Sequence, residues 1–418
     1  MRGRGLLDEA TIARPRLAGL TLACLAAVAC ARGDPPNDSS LAAADSIVSA
    51  WVDDGPLPGA VLLVAREGRV VFETEYGFAR IVQGADPTPM TTEAAFDVAS
   101  VTKVMATTMA VMLLTDRGDV DIEAPVSTYL PDFVGGGKEE ITLRLLLTHR
   151  SGLPQWQPIY YHAETSAEAY AYLRELPLDW PVGEGRHYSD LGFMLLGSVV
   201  EKVSGKRLDD FLREELYTPL GLIRTGFRPS DASGTGIGPS PETLIAATSR
   251  GNPFEYRMVH DPDFGYRIDG DPNAWDGWRD RALQGEVNDG NAFHAFGGVA
   301  GHAGLFSSAA ELGVLLQLLL DGGVYEGRRH LSADVVDVFL TSTGDGQALG
   351  WQLPGYAPAT SFGHTGFTGT FVLGVRDRGL SVVLLTNRQH RGVDANTEYP
   401  DIGALQQEVT EALTRGGA

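Results

Sequence analysis

The order of apolar and polar residues along this chain predicts an antiparallel sheet built from both of its ends. Near the start, residues 59–76 form two apolar, β-branched runs that meet at Glu67-Gly68, which is typical of a β-hairpin. Near the other end, residues 369–386 repeat this pattern around a turn at 377–379. We therefore expect one hairpin from each end of the chain, and we expect both in the same sheet.

Between the hairpins, apolar residues recur every three or four positions, which predicts helices. A further helix is predicted before the first hairpin and another after the second. Residues 234–281 are rich in Gly, Pro and Asp, and their composition predicts long surface loops. The predicted fold class is therefore α/β (α+β): an antiparallel sheet flanked by helices, with an inserted helical region. The predicted helices are 41–53, 104–116, 142–148, 166–176, 191–203, 208–216, 309–320 and 401–414.

Composition narrows the possible partners more than it narrows the fold. The 418 residues are 43% hydrophobic and carry a formal net charge of −21. Hydrophobicity of this size is ordinary for a globular chain. The negative charge argues against nucleic acid as a partner, because proteins that bind the phosphate backbone present basic patches. The chain leaves the oligomeric state open.

The first 30 residues differ from the rest and indicate export. Four arginines precede a short apolar run, 17–30, that ends in small residues, as in a secretory signal peptide. The only cysteines are Cys24 and Cys30, so a mature chain lacking the signal has no internal disulfide. Ala-Val-Ala-Cys30 resembles the lipobox of bacterial lipoproteins, which implies a lipid anchor on Cys30 in the periplasm or cell envelope. Simple cleavage after Ala29 is the alternative, and 31–40 is a polar tether in both cases.

One predicted helix begins with residues that a purely structural helix does not need. Ser100 and Lys103 are one turn apart and face the same side. A serine hydroxyl becomes a good nucleophile when a neighbouring base takes its proton, and an amine with a lowered pKa can do this. For this short pattern alone, a helix cap at Ser100 with a solvent-exposed Lys103 is the better explanation.

Two later segments also carry candidate chemistry. Tyr188-Ser189-Asp190 stands just before another predicted helix, where a phenol could relay a proton. His364-Thr365-Gly366-Phe367 precedes the last hairpin, and glycine in such a strand often marks close approach of a backbone or a ligand. Each segment alone is better explained by packing and capping.

Taken in order, these three segments resemble the motifs of the penicillin-recognising serine hydrolases. The second and third segments are closest to the class C β-lactamase and DD-carboxypeptidase branch, and 285–307 resembles its D-alanyl-D-alanine carboxypeptidase and CubicO-like esterase group. The resemblance extends over about 41–415, which it marks as a single β-lactamase-like serine hydrolase domain. It also implies an active site between the sheet and the helical region. Further matching blocks are 145–154, 181–205, 218–222, 297–313 and 382–388.

The resemblance implies a role for each motif residue. Ser100 would be the nucleophile that forms the acyl-enzyme. Lys103 would help to deprotonate the Ser100 hydroxyl, and Tyr188 would pass the proton to the leaving group. The backbone N–H groups of Ser100 and Phe367 would form the oxyanion hole. His364, with Thr365 and Gly366, would orient the substrate. No metal and no organic cofactor is implied.

One position departs from the family pattern, because Asp190 stands where asparagine is usual. A carboxylate close to Lys103 should raise the lysine pKa and make it a weaker base. It should also disfavour β-lactams, whose binding uses the amide at that position. His364 in place of the common lysine weakens anion binding, since imidazole is mostly neutral at neutral pH.

The sequence therefore predicts an exported serine hydrolase that acts by acyl-enzyme formation on D-alanyl peptides or small esters. Its expected partner is a small-molecule or peptide substrate, with peptidoglycan as one source. A class C-like β-lactamase is the alternative within the family, and a catalytically weak module that binds cell-wall peptides is an alternative of another class. A metal-dependent hydrolase built on Asp289, His294 and His302 is a third reading, which the loose, glycine-rich spacing disfavours.

Overall fold

The computed structural model describes residues 38–227 and 243–415, apart from 265, 267 and 269. The predicted signal segment 1–30, with Cys30, and most of the tether 31–40 lie outside these residues. In the described part of the chain, no helix is both long enough and apolar enough to span a bilayer.

Eleven strands in the described residues form three antiparallel sheets. The main sheet has six strands in the order β3-β2-β1-β11-β10-β9, so the first long strand pairs with the last one. The two smaller sheets have the orders β4-β6-β5 and β7-β8. The strands are β1 (Gly59–Arg66), β2 (Arg69–Arg80), β3 (Thr88–Pro89), β4 (Phe96–Asp97), β5 (Gly226–Phe227), β6 (Leu305–Ser307), β7 (Val324–Tyr325), β8 (Arg328–Arg329), β9 (Ser361–Gly366), β10 (Thr370–Val375) and β11 (Leu380–Thr386).

Eleven α-helices of the described residues surround the main sheet. Most of them match a predicted segment to within a few residues, while α7, α8 and α10 were not predicted. They are α1 (Asp38–Asp53), α2 (Met109–Asp116), α3 (Leu143–Leu147), α4 (Ser166–Glu175), α5 (Asp190–Ser204), α6 (Leu208–Leu212), α7 (Pro253–His260), α8 (Gly290–His294), α9 (Ala309–Leu320), α10 (Ala333–Leu340) and α11 (Gly403–Thr414).

The central strands of the main sheet are buried on both faces, which explains why β1 and β11 are almost continuous apolar runs, whereas β2 is mostly exposed. Along β1, Leu62 and Val64 join a core formed with the terminal helices α1 and α11. Val61 and Leu63 point the other way, into the larger core shared with α9 and the helical region. The two chain ends therefore form one outer layer, and the inserted segment packs on the opposite face of the sheet.

The expectation of only long loops over 234–281 was wrong in part. Helix α7 forms within this segment, and Pro253 occupies its first turn, where a missing N–H costs nothing. Its side chains contribute to a small aromatic cluster with Trp156 and Trp278. The high Gly, Pro and Asp content averaged over the segment conceals this helix, because its own apolar residues are few and partly exposed.

Candidate active site

The backbone just before Ser100 is held in an uncommon conformation. Ala99 has a φ of 46°, in the left-handed region that residues with a Cβ rarely adopt. The buried carboxylate of Asp97 accepts the Ala99 N–H at 2.9 Å and the Asn288 N–H at 2.6 Å. Burial raises the pKa of Asp97 to about 6 despite these two bonds. This local strain is maintained by surrounding contacts, and it presents Ser100 at the start of the helical segment.

Ser100 and Lys103 meet as their helical spacing predicts. The Lys103 Nζ donates to Ser100 Oγ at 3.0 Å. Lys103 begins a π-helical turn, Lys103–Thr108, that continues directly into α2. The lysine side chain is fully buried, so a snorkelling, solvent-exposed Lys103 is excluded.

Three oxygen atoms surround the Lys103 ammonium, two as hydrogen-bond acceptors and one in an ion pair. They are Ser100 Oγ at 3.0 Å, the His302 carbonyl at 3.2 Å and Asp190 Oδ1 at 2.7 Å. Burial alone would lower the Lys103 pKa, but the nearby Asp190 carboxylate and Tyr188 outweigh it and raise the pKa above the usual lysine value. Lys103 is therefore a protonated lysine in an ion pair at neutral pH, as the sequence argument about Asp190 anticipated.

Tyr188 is held beside this lysine by the start of α5. The Ser189 hydroxyl caps α5 at the Gly192 N–H and donates to the Pro154 carbonyl at 2.7 Å. The Ser189 N–H donates to Nδ1 of buried His149 at 3.1 Å, and the His149 ring packs on Tyr188 with centroids 4.4 Å apart. Burial, reinforced by Lys103, holds the pKa of His149 well below its usual range. His149 is thus a neutral residue that positions Tyr188.

Strand β9 approaches the nucleophile segment very closely. A Cβ on Gly366 would lie 2.5 Å from the Val98 carbonyl oxygen and 2.0 Å from Thr370 Oγ1, so only glycine fits. The Thr370 hydroxyl donates to the same Val98 carbonyl at 2.9 Å, and the Thr368 hydroxyl donates to Asp97 at 2.7 Å. The prediction that glycine marks a close backbone approach is confirmed here.

His364 and Phe367 lie at the two ends of this motif. His364 is buried, and burial together with the Lys103 charge lowers its pKa to about 3. Its Nδ1 lies 2.7 Å from the Thr365 carbonyl oxygen, so a neutral imidazole donates there. Phe367 follows β9, and its carbonyl accepts from Arg388 and Gln389. Among the described residues, the N–H groups of Ser100 and Phe367 have no acceptor, as an oxyanion hole requires.

Two clefts meet at Ser100 and Tyr188. The first cleft, of about 240 Å³, extends toward α7 and α8 and contains Asp190, Glu255 and Asp289 beside several aromatic rings. The second cleft, of about 390 Å³, is lined by Thr365–Phe367 and by residues near the start of α11. We call them the aromatic cleft and the β9 cleft. A substrate that spans Ser100 can place one part in each.

Of the three residues considered as metal ligands, the structure brings only two together. His302 Nε2 lies 2.9 Å from Asp289 Oδ1, whereas His294 packs against Tyr160 and Trp275. Asp190 takes the place of His294 in the group, and its carboxylate oxygen lies within 4.8 Å of the Asp289 and His302 ligand atoms. The Lys103 ammonium, 2.7 Å from Asp190, already supplies a positive charge there.

Sequence patterns indicated only some of the residues that line the aromatic cleft. Glu255 in α7 and Asn288 before α8 are 155 and 188 positions after Ser100, and no motif spacing connects them with it. Trp156 lines the cleft, while Trp275 and Trp278 pack in the aromatic cluster behind it. Asp97 was missed for a related reason, since a buried carboxylate that binds backbone N–H groups leaves no sequence pattern.

Comparisons with known proteins give consistent results. The family model described as Beta-lactamase matches residues 44–407. An N-acetylmuramyl-L-alanine amidase of Bacillus subtilis (strain 168) is 34% identical over 374 residues, covering 82% of this chain and 80% of that protein. A protein of Escherichia coli (strain K12) named "Putative D-alanyl-D-alanine carboxypeptidase" is 31% identical over 388 residues, covering 86% and 84%.

Solved structures share the fold at lower identity. A penicillin-binding protein homologue from Caulobacter crescentus superposes with a TM-score of 0.67 at 20% identity, covering 91% of this chain and 98% of that one. A family VIII carboxylesterase gives a TM-score of 0.65 at 21% identity, with coverage of 90% and 97%.

Proposed function

This chain belongs to the beta-lactamase family of serine hydrolases, and from that premise we propose that it hydrolyses amide or ester bonds of cell-wall peptide fragments through an acyl-enzyme on Ser100. The observation that carries the proposal is the Lys103 Nζ at 3.0 Å from Ser100 Oγ, at the junction of two clefts. The acyl donors we propose are peptides ending in D-alanine, N-acetylmuramyl-L-alanine amides and small carboxylic esters.

The chemistry follows from the contacts of Lys103. Because Lys103 starts as an ammonium, it can take the Ser100 proton only while it passes one of its own to Asp190. Ser100 Oγ then bonds to the substrate carbonyl carbon, and the oxyanion lies between the Ser100 and Phe367 N–H groups. When this intermediate collapses, the substrate C–N or C–O bond breaks, and the proton passes through Lys103 and Tyr188 to the leaving amine or alcohol. A water molecule then attacks the acyl carbonyl carbon, its proton passes along the same path to Ser100 Oγ, and the acid is released.

Two features make β-lactams weaker substrates in this proposal. Asp190 is a carboxyl group paired with Lys103, so it offers no N–H to a β-lactam side chain. The pKa of His364, lowered to about 3, leaves a neutral imidazole where a positive charge would attract the β-lactam carboxylate. A pure peptide-binding module is disfavoured for a different reason, because binding alone does not require a serine, a lysine and a tyrosine around one proton path.

A labelling experiment tests the proposal. The chain is incubated with a labelled fluorophosphonate, and turnover of p-nitrophenyl acetate, an N-acetylmuramyl-L-alanine amide and a D-alanyl-D-alanine peptide is followed. We expect labelling and turnover that disappear in Ser100→Ala. Muropeptide binding without turnover would support the binding module, and chelator-sensitive turnover in Ser100→Ala would support a metal-dependent enzyme; either result would refute the acyl-enzyme.

We also propose that residues 1–30 direct export and that Cys30 carries a lipid anchor. The support is the arginine-led apolar segment that ends in Ala-Val-Ala-Cys. Labelled palmitate should be incorporated by the full chain expressed in a bacterial host and not by Cys30→Ala. A cleaved but unlabelled protein would instead indicate a simple secretory signal.

A further inference from the structure

We propose that the aromatic cleft is a saccharide subsite, in which a neutral pyranose ring attached to the substrate packs on aromatic side chains and bonds to Glu255 and Asp289. The inference rests on the proposed function, because it specifies what one side of the scissile bond carries. Three of its residues, Trp156, Glu255 and Tyr266, lie outside the three family motifs.

The apolar part of this subsite consists of two groups of aromatic rings. Phe254 lies 5.1 Å from Phe367 and 6.2 Å from Tyr399, measured between ring centroids. Trp156 lies 5.6 Å from Tyr266, and all five rings line the cleft that contains Ser100. Pyranose rings present flat patches of C–H groups, which pack well on the electron-rich faces of such side chains. Phe367 is also next to the oxyanion donors, so a sugar ring packed on Phe367 lies beside the reacting carbonyl.

The polar part is built around Glu255. The Gly290 N–H donates to Glu255 Oε2 at 3.1 Å. A Cβ at residue 290 would lie 2.2 Å from Glu255 Oε1, so glycine allows the carboxyl group to rest on the start of α8. Asp289, the adjacent residue, accepts the Ala292 N–H at 2.7 Å. Both acids are thus fixed by the backbone of α8 while they line the cleft.

A buried polar atom in the same cleft lacks a partner. His302 is 1% exposed, and its Nε2 is bonded to Asp289 at 2.9 Å. Its Nδ1 has no hydrogen-bond partner among the described residues. An unsatisfied buried polar group destabilises the folded protein, and a ligand hydroxyl or acetamido group in this cleft would supply the missing partner. This atom points to a polar ligand independently of the acidic residues.

The charges favour a neutral polyol over a cation. Asp190 is already paired with Lys103, and Asp289 is bonded to His302. Burial, with Asp289 nearby, raises the pKa of Glu255 to about 8, although the Tyr160 hydroxyl and the Arg279 guanidinium favour its ionised form. A protonated Glu255 both donates and accepts, as sugar hydroxyl groups do. An ammonium ligand would need Glu255 ionised, which burial opposes.

Competitive inhibition of p-nitrophenyl acetate hydrolysis tests this subsite. The probes are methyl N-acetyl-β-D-glucosaminide, as the neutral sugar, and benzylamine, as a cation of similar size. We expect the glycoside to inhibit and its inhibition constant to rise about tenfold in Glu255→Gln and in Tyr266→Ala, the effect of one lost contact. The matched control is Glu408→Gln on the exposed face of α11, which should leave the constant unchanged. Hydrolysis of the sugar-free ester should also be unchanged in Glu408→Gln.

The outcomes separate this inference from the proposed function. Inhibition by benzylamine but not by the glycoside would overturn the saccharide subsite in favour of a cationic ligand. Inhibition by neither probe, or by the glycoside equally in Glu255→Gln and wild type, would also overturn it. In each case Ser100-dependent ester hydrolysis would leave the proposed acyl-enzyme intact, whereas its absence would refute that function first.

Discussion

Replacing Asp190 by asparagine should convert Lys103 from an ammonium into a usable base. At 2.7 Å, two unit charges attract by about 6 kcal/mol with an effective dielectric constant of about 20. That energy corresponds to about four pKa units, reduced by screening because the Asp190 side chain is 20% exposed. In Asp190→Asn the attraction is lost and burial remains. The pKa of Lys103 should then fall below its usual value, since burial is the largest single influence on it.

Acylation by a labelled penicillin is the assay for this change. Wild type should acylate slowly, without a lysine titration between pH 6 and 9. Asp190→Asn should acylate at least about tenfold faster at pH 7, with a rate that rises as pH increases and Lys103 loses its proton. The control is Asp334→Asn, which removes an exposed carboxylate from the first turn of α10, as Asp190 stands in the first turn of α5.

The pH dependence of the free energy of unfolding checks the same reasoning about the Lys103 pKa. If Lys103 stayed charged in the variant, the broken pair would cost about 3–5 kcal/mol. If its folded-state pKa falls below the unfolded value, the unfolded chain binds more protons, so the free energy of unfolding rises with pH. We therefore expect the deficit of Asp190→Asn, measured by urea denaturation, to be smaller at pH 9 than at pH 6. Equal, fast penicillin acylation and parallel pH profiles in both proteins would refute the argument.

Three further changes follow from the site. Gly366→Ala should lower the free energy of unfolding by about 1–3 kcal/mol through overpacking against Val98, and it should slow fluorophosphonate labelling. Gly355→Ala, with open space around it, should do neither. Equal stability of Gly366→Ala and wild type would contradict this. His149→Phe should keep the ring contact with Tyr188 but leave the Ser189 N–H unsatisfied, lowering the free energy of unfolding by about 1–3 kcal/mol. His364→Gln should leave the shape of the rate profile from pH 5 to 8 unchanged, because the wild-type pKa of about 3 lies below that range; loss of a limb near pH 6.5 would show a titrating histidine.

Local pattern was sufficient where a single element carries the information. The β1–β2 and β10–β11 hairpins, and the meeting of Ser100 with Lys103, depend on periods of two and 3.6 residues that can be read from neighbouring positions. The close approach at Gly366 was likewise indicated by the glycine itself. The conditional argument about Asp190 needed only its motif position, and the structure supplied the distance.

The remaining features depend on contacts between distant segments. The carboxyl group of Glu255 reaches the site because Gly290 leaves room for it, which neither residue indicates alone. The metal-ligand hypothesis failed to place His294 because residues 289–302 turn around α8, sending His294 to the aromatic cluster and His302 to Asp289. Helix α7 was hidden by the composition of its surroundings. Such pairings are set by tertiary packing and not by local periodicity.

The sheet order also constrains when the enzyme can first work during its own synthesis. Strand β1 pairs with β11 in a register that joins Ala60 to Thr386, so the first hairpin gains its neighbour only after nearly the whole chain has been made. Phe367, a predicted oxyanion donor, belongs to the same late segment. Long-range pairing of this kind slows folding, because the intervening chain must lose loop-closure entropy before any stabilising contact forms. A chain still being synthesised is therefore inactive. If the protein is exported, the chain can pass through a membrane channel unfolded before the oxyanion site at Ser100 is complete.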